Sequence, residues 1–222
     1  MKRAVVALIL IIAAVTAHAD PYKVQPVGDE ASSWAGKTVV VTARPQARFM
    51  SYSRVKITFG LFGIAAAAVQ GKQIIEHNGI ENPAPRLAQA LFEAGRDRYG
   101  VVPAPLAPLS LDSDDAVVVA RAGHGADLVF DVQQTGGSLE PLLSTASGYF
   151  VTSELRFRVI DVASGRVLGD ATCVRTTQLN PDLLTRDELL ADHAARLKTI
   201  LGTQRDFCLE YFRVQVLRLP PT

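Results

Sequence analysis

The sequence predicts an α+β fold: a two-layer α/β sandwich in which a mixed sheet of about four strands, including a C-terminal β-hairpin, is packed by helices and closed by a long C-terminal helix. Three observations carry this. Residues 154–177 alternate apolar and polar side chains on either side of a Gly-containing turn, as a hairpin does. Residues 37–43 form a β-branched run bounded by Gly36 and Pro45. Residues 82–99 and 185–212 repeat apolar side chains at helical spacing.

Ahead of the fold lies an export signal. Lys2 and Arg3 supply a positive start, Ala4 to Val15 an apolar run, and Ala17-His18-Ala19 a small-x-small cleavage pattern between Ala19 and Asp20. The apolar run spans roughly 18 Å as a helix, short of the ~30 Å of a bilayer core. No Cys follows it, so the signal is not of the lipoprotein kind. The expected organisation is a signal peptide at 1–19, an extended arm at 20–36 with Trp34 as its anchor, and one α/β domain at 37–222, periplasmic or secreted. The full chain carries 23 Lys+Arg and 22 Asp+Glu, and cleavage leaves 21 against 22. That balance, without basic clusters, gives no support for nucleic-acid binding. Nothing after residue 19 is long and apolar enough to span a membrane.

Taken in order, the body opens with the strand at 37–43. Residues 51–58 alternate weakly and read either as a second strand or as a connection. The run from Phe59 to Val69 is the most apolar of the mature chain, and its alanines favour a helix reaching the Asn78-Gly79 stop. Two readings of it are open. Its Gly and Ala suit a buried helix lying close to a sheet; alternatively it is a partner- or membrane-surface helix, although only Lys56 and Lys72 flank it. Asn82-Pro83 begins a helix with Leu87, Leu91 and Phe92 inward, ending near Tyr99-Gly100. Three prolines then force an extended path over 101–108. Ser113-Asp114-Asp115 caps a short helix that ends at Gly123. Leu128, Phe130 and Val132 alternate with Asp127 and Asp131, which reads as a strand with those acids on its solvated face. Gly136-Gly137-Ser138 and residues 140–150, with apolar Leu142, Leu143, Tyr149 and Phe150, read as loop.

In the hairpin, Leu155, Phe157 and Val159 share one face, the turn is Asp161 to Gly165, and Val167, Gly169, Ala171 and Cys173 form a small-residue face on the return strand. Thr185 to Glu188 has capping-box spacing. Leu190, Ala194, Leu197, Leu201, Cys208 and Phe212 follow as one helical stripe, with Gly202 a weak point midway. Cys173 and Cys208 are the chain's two cysteines. Their placement on facing surfaces, in an oxidising compartment, predicts a disulfide pinning the last helix to the sheet.

No catalytic or metal pattern emerges, and no cofactor is expected. His77, His124 and His193 are not at ligand spacing, and no H-E-x-x-H or G-x-S-x-G is present. Asp112, Asp114 and Asp115 read as helix-dipole partners. The expectation is a non-enzymatic envelope protein that binds a protein partner through Phe59, Leu61, Phe62, Leu142, Leu143 and Tyr149. The alternative is a small-ligand binder or hydrolase, with a pocket lined by His124, Asp131 or Glu154. Peripheral membrane association through 59–77 is a third option.

The run Ala126 to Val132, followed by Tyr149, Leu155, Val159-Ile160-Asp161 and Gly165 to Leu168, resembles a motif set of uncharacterised secreted proteobacterial proteins. The likeness covers residues 37–218 and continues through Asp187 to Asp192 and Leu197-Lys198 to Cys208. It implies export, the cysteine pair and the fold, and no activity. More distantly, the order of strand, helices, strand, hairpin and helix is similar to the α/β domains of envelope proteins such as TolB N-terminal, CsgG and LpoB-type domains, which are mainly interaction modules. Fold alone does not fix function.

Overall fold

A computed structural model describes residues 24–54, 60–145, 147–180 and 182–221. The signal peptide predicted at 1–19 lies outside them. Among the described residues are β1 (Thr38–Val41), β2 (Phe49–Ser51), α1 (Gly60–Asn78), α2 (Ala84–Tyr99), β3 (Val102–Pro103), α3 (Ala116–Ala122), β4 (Leu128–Pro141), β5 (Tyr149–Asp161), β6 (Val167–Thr176) and α4 (Arg186–Gln215). The class is α+β, with a mixed sheet of six strands rather than about four.

The sheet is built around β4. β1 and β3 pair parallel on one side, and β5 and β6 complete an antiparallel meander on the other. β2 also pairs parallel with β4, but further along: β1 meets residues 128–130 and β2 meets 137–139. The two short strands thus lie in line along the same side of β4, interrupted at 42–48, where Pro45 has no N–H to give a ladder. Opposite the interruption, the β4–β5 register shifts between Gln134 and Gly136, a bulge that strengthens the local twist.

β4 runs through Gly136-Gly137-Ser138, which the sequence places in a loop. Tyr149 and Phe150 likewise belong to β5, and the connection shrinks to 142–148. The glycines are accommodated because Phe49 lies over Gly137, so close that a β-carbon would meet its ring at 2.9 Å. β2 itself, three residues long, carries too short an alternation to be read from sequence.

Helices α2 and α4 cover one face of the sheet. Trp34, Phe130, Phe157 and Phe212 run across it, with successive ring centroids 6.4, 5.5 and 5.8 Å apart. Trp34 follows a 3₁₀ turn at Asp29–Ser33, and the segment before it is tied in by Gln25 N to Asp170 O and Val27 N to Val216 O. A second cluster, around Phe49, Ile74, Leu139, Val151 and Leu197, lies under α1 and the first part of α4. The other face is covered at one end by α3, through Val119 against Val129 and Ile160. The N-cap of α3 is Asp115, whose carboxylate accepts from Val117 N at 2.8 Å.

The C-terminal hairpin turns at Gly165 with φ +69°, a backbone conformation glycine adopts without strain. Gly169, Ala171 and Cys173 face α4, whereas Val167 falls on the α3 side. A register shift beside Val159 and Ile160 skips a residue there and reverses the side-chain direction. Thr185 and Glu188 form the expected capping box. The helix it opens is not continuous: Asp192, His193 and Ala194 adopt left-handed φ values between 49° and 58°. The weak point is therefore this break and not Gly202, and it brings Leu189 rather than Leu190 into the core.

α1 buries Gly63, Ala67, Gly71 and Ile74, residues at helical spacing, and meets β2 through Gly71 and Ile74. A β-carbon at Gly71 would lie 1.7 Å from the carbonyl oxygen of Phe49. Gly71→Ala is therefore expected to push α1 off the strand and cost about 1–3 kcal/mol, measured as a lowered urea midpoint. An unchanged midpoint would show that the helix is not seated there.

Candidate functional site

The topology gathers three connections at one end of the sheet. β2 ends beside Leu139, β4 ends paired with Tyr149, and β6 ends with Thr176 opposite Thr152. The start of α1, the β4–β5 loop and the β6–α4 loop therefore emerge together. Each carries a large apolar side chain turned outward: Phe62 is 85% exposed, Leu143 68% and Leu179 92%. Ile64 and Val69 add to the exposed side of α1. The helix is thus seated by its Gly/Ala seam on one side and bare on the other.

Below these tips the loops are fastened. Arg54 donates to the carbonyls of Leu142 and Gly148 at 3.1 and 3.4 Å, and Tyr149 N donates to Leu184 O at 2.9 Å. Leu142 and Tyr149 are consequently half-buried, and Tyr149 packs on the second core cluster. Of the residues named from sequence for an interaction surface, Phe62 and Leu143 stand free and Leu142 and Tyr149 support them. Phe59 and the side chain of Leu61 lie outside the described residues. Leu179 escaped notice in the sequence because a single leucine in a polar loop has no periodic signal.

The pocket expected around His124, Asp131 or Glu154 does not assemble. His124 is exposed on the turn after α3, and Glu154 is half-buried on β5. Asp131 is not on a solvated face; its side chain is fully buried. The carboxylate accepts from Arg44 Nε at 2.7 Å and Nη2 at 2.9 Å, and from Arg158 Nε at 3.1 Å and Nη2 at 2.5 Å. The remaining guanidinium donors reach the carbonyls of Leu111, Ser113 and Asp114. The three charges act as a clamp holding the segment before α3 on the sheet. Burial alone would raise the Asp131 pKa, but hydrogen bonds from Arg44 and the charges of Arg158 and Arg44 hold it below the usual carboxylate range.

Asp127 is exposed, as expected for a solvated acid, and it accepts from Thr38 N at 2.7 Å and Oγ1 at 2.8 Å. Those hydrogen bonds lower its pKa. His77 and His193 border a shallow cleft between α1 and α4. Among the described residues no cluster of His, Cys, Asp and Glu is arranged to hold a metal ion. None of the described helices is long and apolar enough to cross a membrane. Cys173 and Cys208 are bonded, tying β6 to α4 as the facing surfaces predicted.

What these features define is an α+β domain with a disulfide and an apolar-tipped end. No family model and no curated protein matches the chain. Among solved structures it has a likeness to the PelC dodecamer from Paraburkholderia phytofirmans, at 17% identity over 82% of this chain and 95% of that one, with a TM-score of 0.27. It also has one to lipoprotein GNA1162 from Neisseria meningitidis, at 12% identity over 78% and 97%, TM-score 0.28. A third is to the LpoB C-terminal domain from Escherichia coli, at 16% identity over 64% and 84%, TM-score 0.22. At these values nothing of their assembly or activity is carried over to this chain.

Proposed function

We propose that this chain is an exported, non-enzymatic protein-interaction module of the cell envelope, and that it engages a protein partner through the apolar end of the sheet. The observation that carries the reading is the convergence of Phe62, Leu143 and Leu179 from three separate connections. Isolated exposed apolar residues are ordinary; several large ones gathered at one end and rimmed by polar groups mark an interaction site. The signal pattern at 1–19 and the Cys173–Cys208 bond fit an oxidising compartment.

A protein fits this end better than a lipid surface does. A membrane-surface helix displays Lys and Arg beside its apolar face. The polar side of α1 has Gln70, Lys72, Gln73 and Glu76 instead, with Lys72 3.7 Å from Glu76. The start of α4, at the same end, adds Asp187 and Glu188, which an anionic bilayer would repel.

The test is photocrosslinking in the exporting cell. A photoreactive residue at Phe62, Leu143 or Leu179 is expected to give one shared protein adduct. The same residue at Ala163, on the turn at the opposite end, should give none. Replacing all three tips with serine is expected to weaken capture at Gln178 by at least about tenfold, since a few apolar anchors dominate interface energy. Equal labelling at both ends, or no adduct at any tip, would count against the reading.

A further inference from the structure

A cavity of about 290 Å³ lies on the helix-covered face, between the two core clusters and away from the apolar tips. Its floor is β4 and β5, one wall is the α1–α2 turn with the start of α2, and the other is α4. The gap between β1 and β2 and the β4 bulge make room for it, because Gln134 sits beside the bulge and Phe49 beside the gap.

Two polar atoms in the floor have no partner among the described residues: Gln134 Oε1 and Ser153 Oγ. Both residues line the cavity, and they are only 8% and 5% exposed. Leaving such groups unmatched is costly, whereas a ligand that supplies the partner recovers that cost. Gln134 Nε2 already donates to Gly136 O at 3.4 Å, so the free Oε1 asks for an N–H or O–H. Around these atoms the walls are apolar, from Ile80, Leu155 and Leu201. At the mouth stand Arg86 and Lys198, exposed and without an ion pair among the described residues. Arg205 also borders the mouth but is held by Asp206 at 2.7 Å, and Glu81 is the one acid at the rim. The N-terminal end of α2 adds partial positive charge.

The α4 wall is the most telling. Lys198, Leu201, Gly202 and Arg205 are one face of α4, at steps of three and four. A β-carbon added at Gly202 meets nothing within 4 Å, and Gly202 has ordinary helical backbone. Neither packing nor conformation requires a glycine there, although glycine is the poorest helix former after proline. What its missing side chain does is keep the cavity open.

We propose that this cavity binds a small amphiphilic carboxylate whose buried end carries a hydroxyl or N–H. The buried end meets Gln134 Oε1 and Ser153 Oγ, the apolar middle lies against Leu155 and Leu201, and the carboxylate reaches Arg86 and Lys198. The volume is at the lower limit of the ~300–1,000 Å³ of small-molecule sites, which restricts the occupant to metabolite size.

The test is titration of the purified full chain with 8-hydroxyoctanoate, followed by calorimetry and ligand-observed NMR. Saturable binding is expected, weakened about tenfold or more in octanoate, which lacks the hydroxyl, and in 1,8-octanediol, where a neutral hydroxyl replaces the carboxylate. Arg86→Glu with Lys198→Glu, both on the surface, should lower affinity by a similar factor. Gly202→Leu fills the cavity: binding should vanish while the melting temperature rises by roughly 2–4 °C from the better helix former. That rise shows the loss is not unfolding. No binding of 8-hydroxyoctanoate at millimolar concentration, binding that survives Gly202→Leu, or equal affinity for the diol would each overturn the proposal.

Discussion

Asp131→Ala is expected to cost at least about 3–5 kcal/mol, because it leaves two buried guanidiniums facing each other with no anion between them. Both arginines are 3% exposed, and their carbonyl contacts to Ser113 and Asp114 hold them in place. Against a net stability of about 5–15 kcal/mol for a domain, that loss removes a large share. The contrast that isolates the cause is the triple change Arg44→Met, Asp131→Leu, Arg158→Met. Exchanging a whole buried ion cluster for apolar side chains of similar size is often neutral or stabilising, so the triple variant is expected to be more stable than Asp131→Ala. It should nonetheless loosen residues 111–114, whose carbonyls the arginines hold, seen as faster amide exchange there.

The same clamp gives a pH signature. The Asp131 carboxyl titrates lower in the folded chain than in the unfolded one, where the ordinary value is about 3.9. The unfolded chain therefore takes up protons first as pH falls. The stabilisation is complete above that value and disappears as pH drops toward the folded-state value. The difference in urea midpoint between the wild type and Asp131→Ala should be constant near neutrality and shrink only below about pH 4. Asp127 and Glu188 are also shifted down, by hydrogen bonds from Thr38 and Thr185. Subtracting the variant's curve removes their share.

Asp131 also shows where sequence reading fails. Its alternation with Leu128, Phe130 and Val132 correctly assigns it to the face opposite those residues. Alternation does not say what covers that face. The partner that buries it, Arg44, lies 87 residues earlier in a stretch without periodicity. Local chemistry was legible: the turn at Gly165 and the Thr185–Glu188 capping box depend on neighbouring residues only, and the start of α3 was placed to within two residues, with Asp115 rather than Ser113 as its cap. Features set by distant packing were not. β4 continues through Gly136-Gly137 because Phe49 shields it, and the break at Asp192 to Ala194 has no glycine or proline to announce it. For the candidate surface, the apolar run into α1 was visible. That the β4–β5 and β6–α4 loops share its end follows from strand pairing, which a single sequence does not encode locally. For the cavity, the one sequence signal was Gly202, a glycine inside a helical stripe.

Replacing Cys173 and Cys208 together by alanine is expected to cost about 3–4 kcal/mol, the loop-closure entropy of a cross-link spanning 35 residues. What makes this bond matter is its position. β6 is the last strand of the sheet, and among the described residues its pairing with β5 is the only ladder on that side apart from the Gln25–Asp170 bridge. α4 is divided by its left-handed break, so the part after Ala194 is seated by Leu197, Phe212 and the disulfide rather than by continuity with the capped first turn. The bond therefore fastens a sheet edge and a half-helix that would each open more readily alone. In thermal melts, reductant should lower the wild-type midpoint by roughly 6–16 °C and leave the double alanine variant unmoved. An equal midpoint with and without reductant would mean that packing alone holds α4. The part of α4 so fastened carries both the cavity wall at Lys198 to Arg205 and the core contact at Phe212. Reduction should therefore raise amide exchange along residues 197–212 before it reaches β4, whose ladders on both sides stay intact.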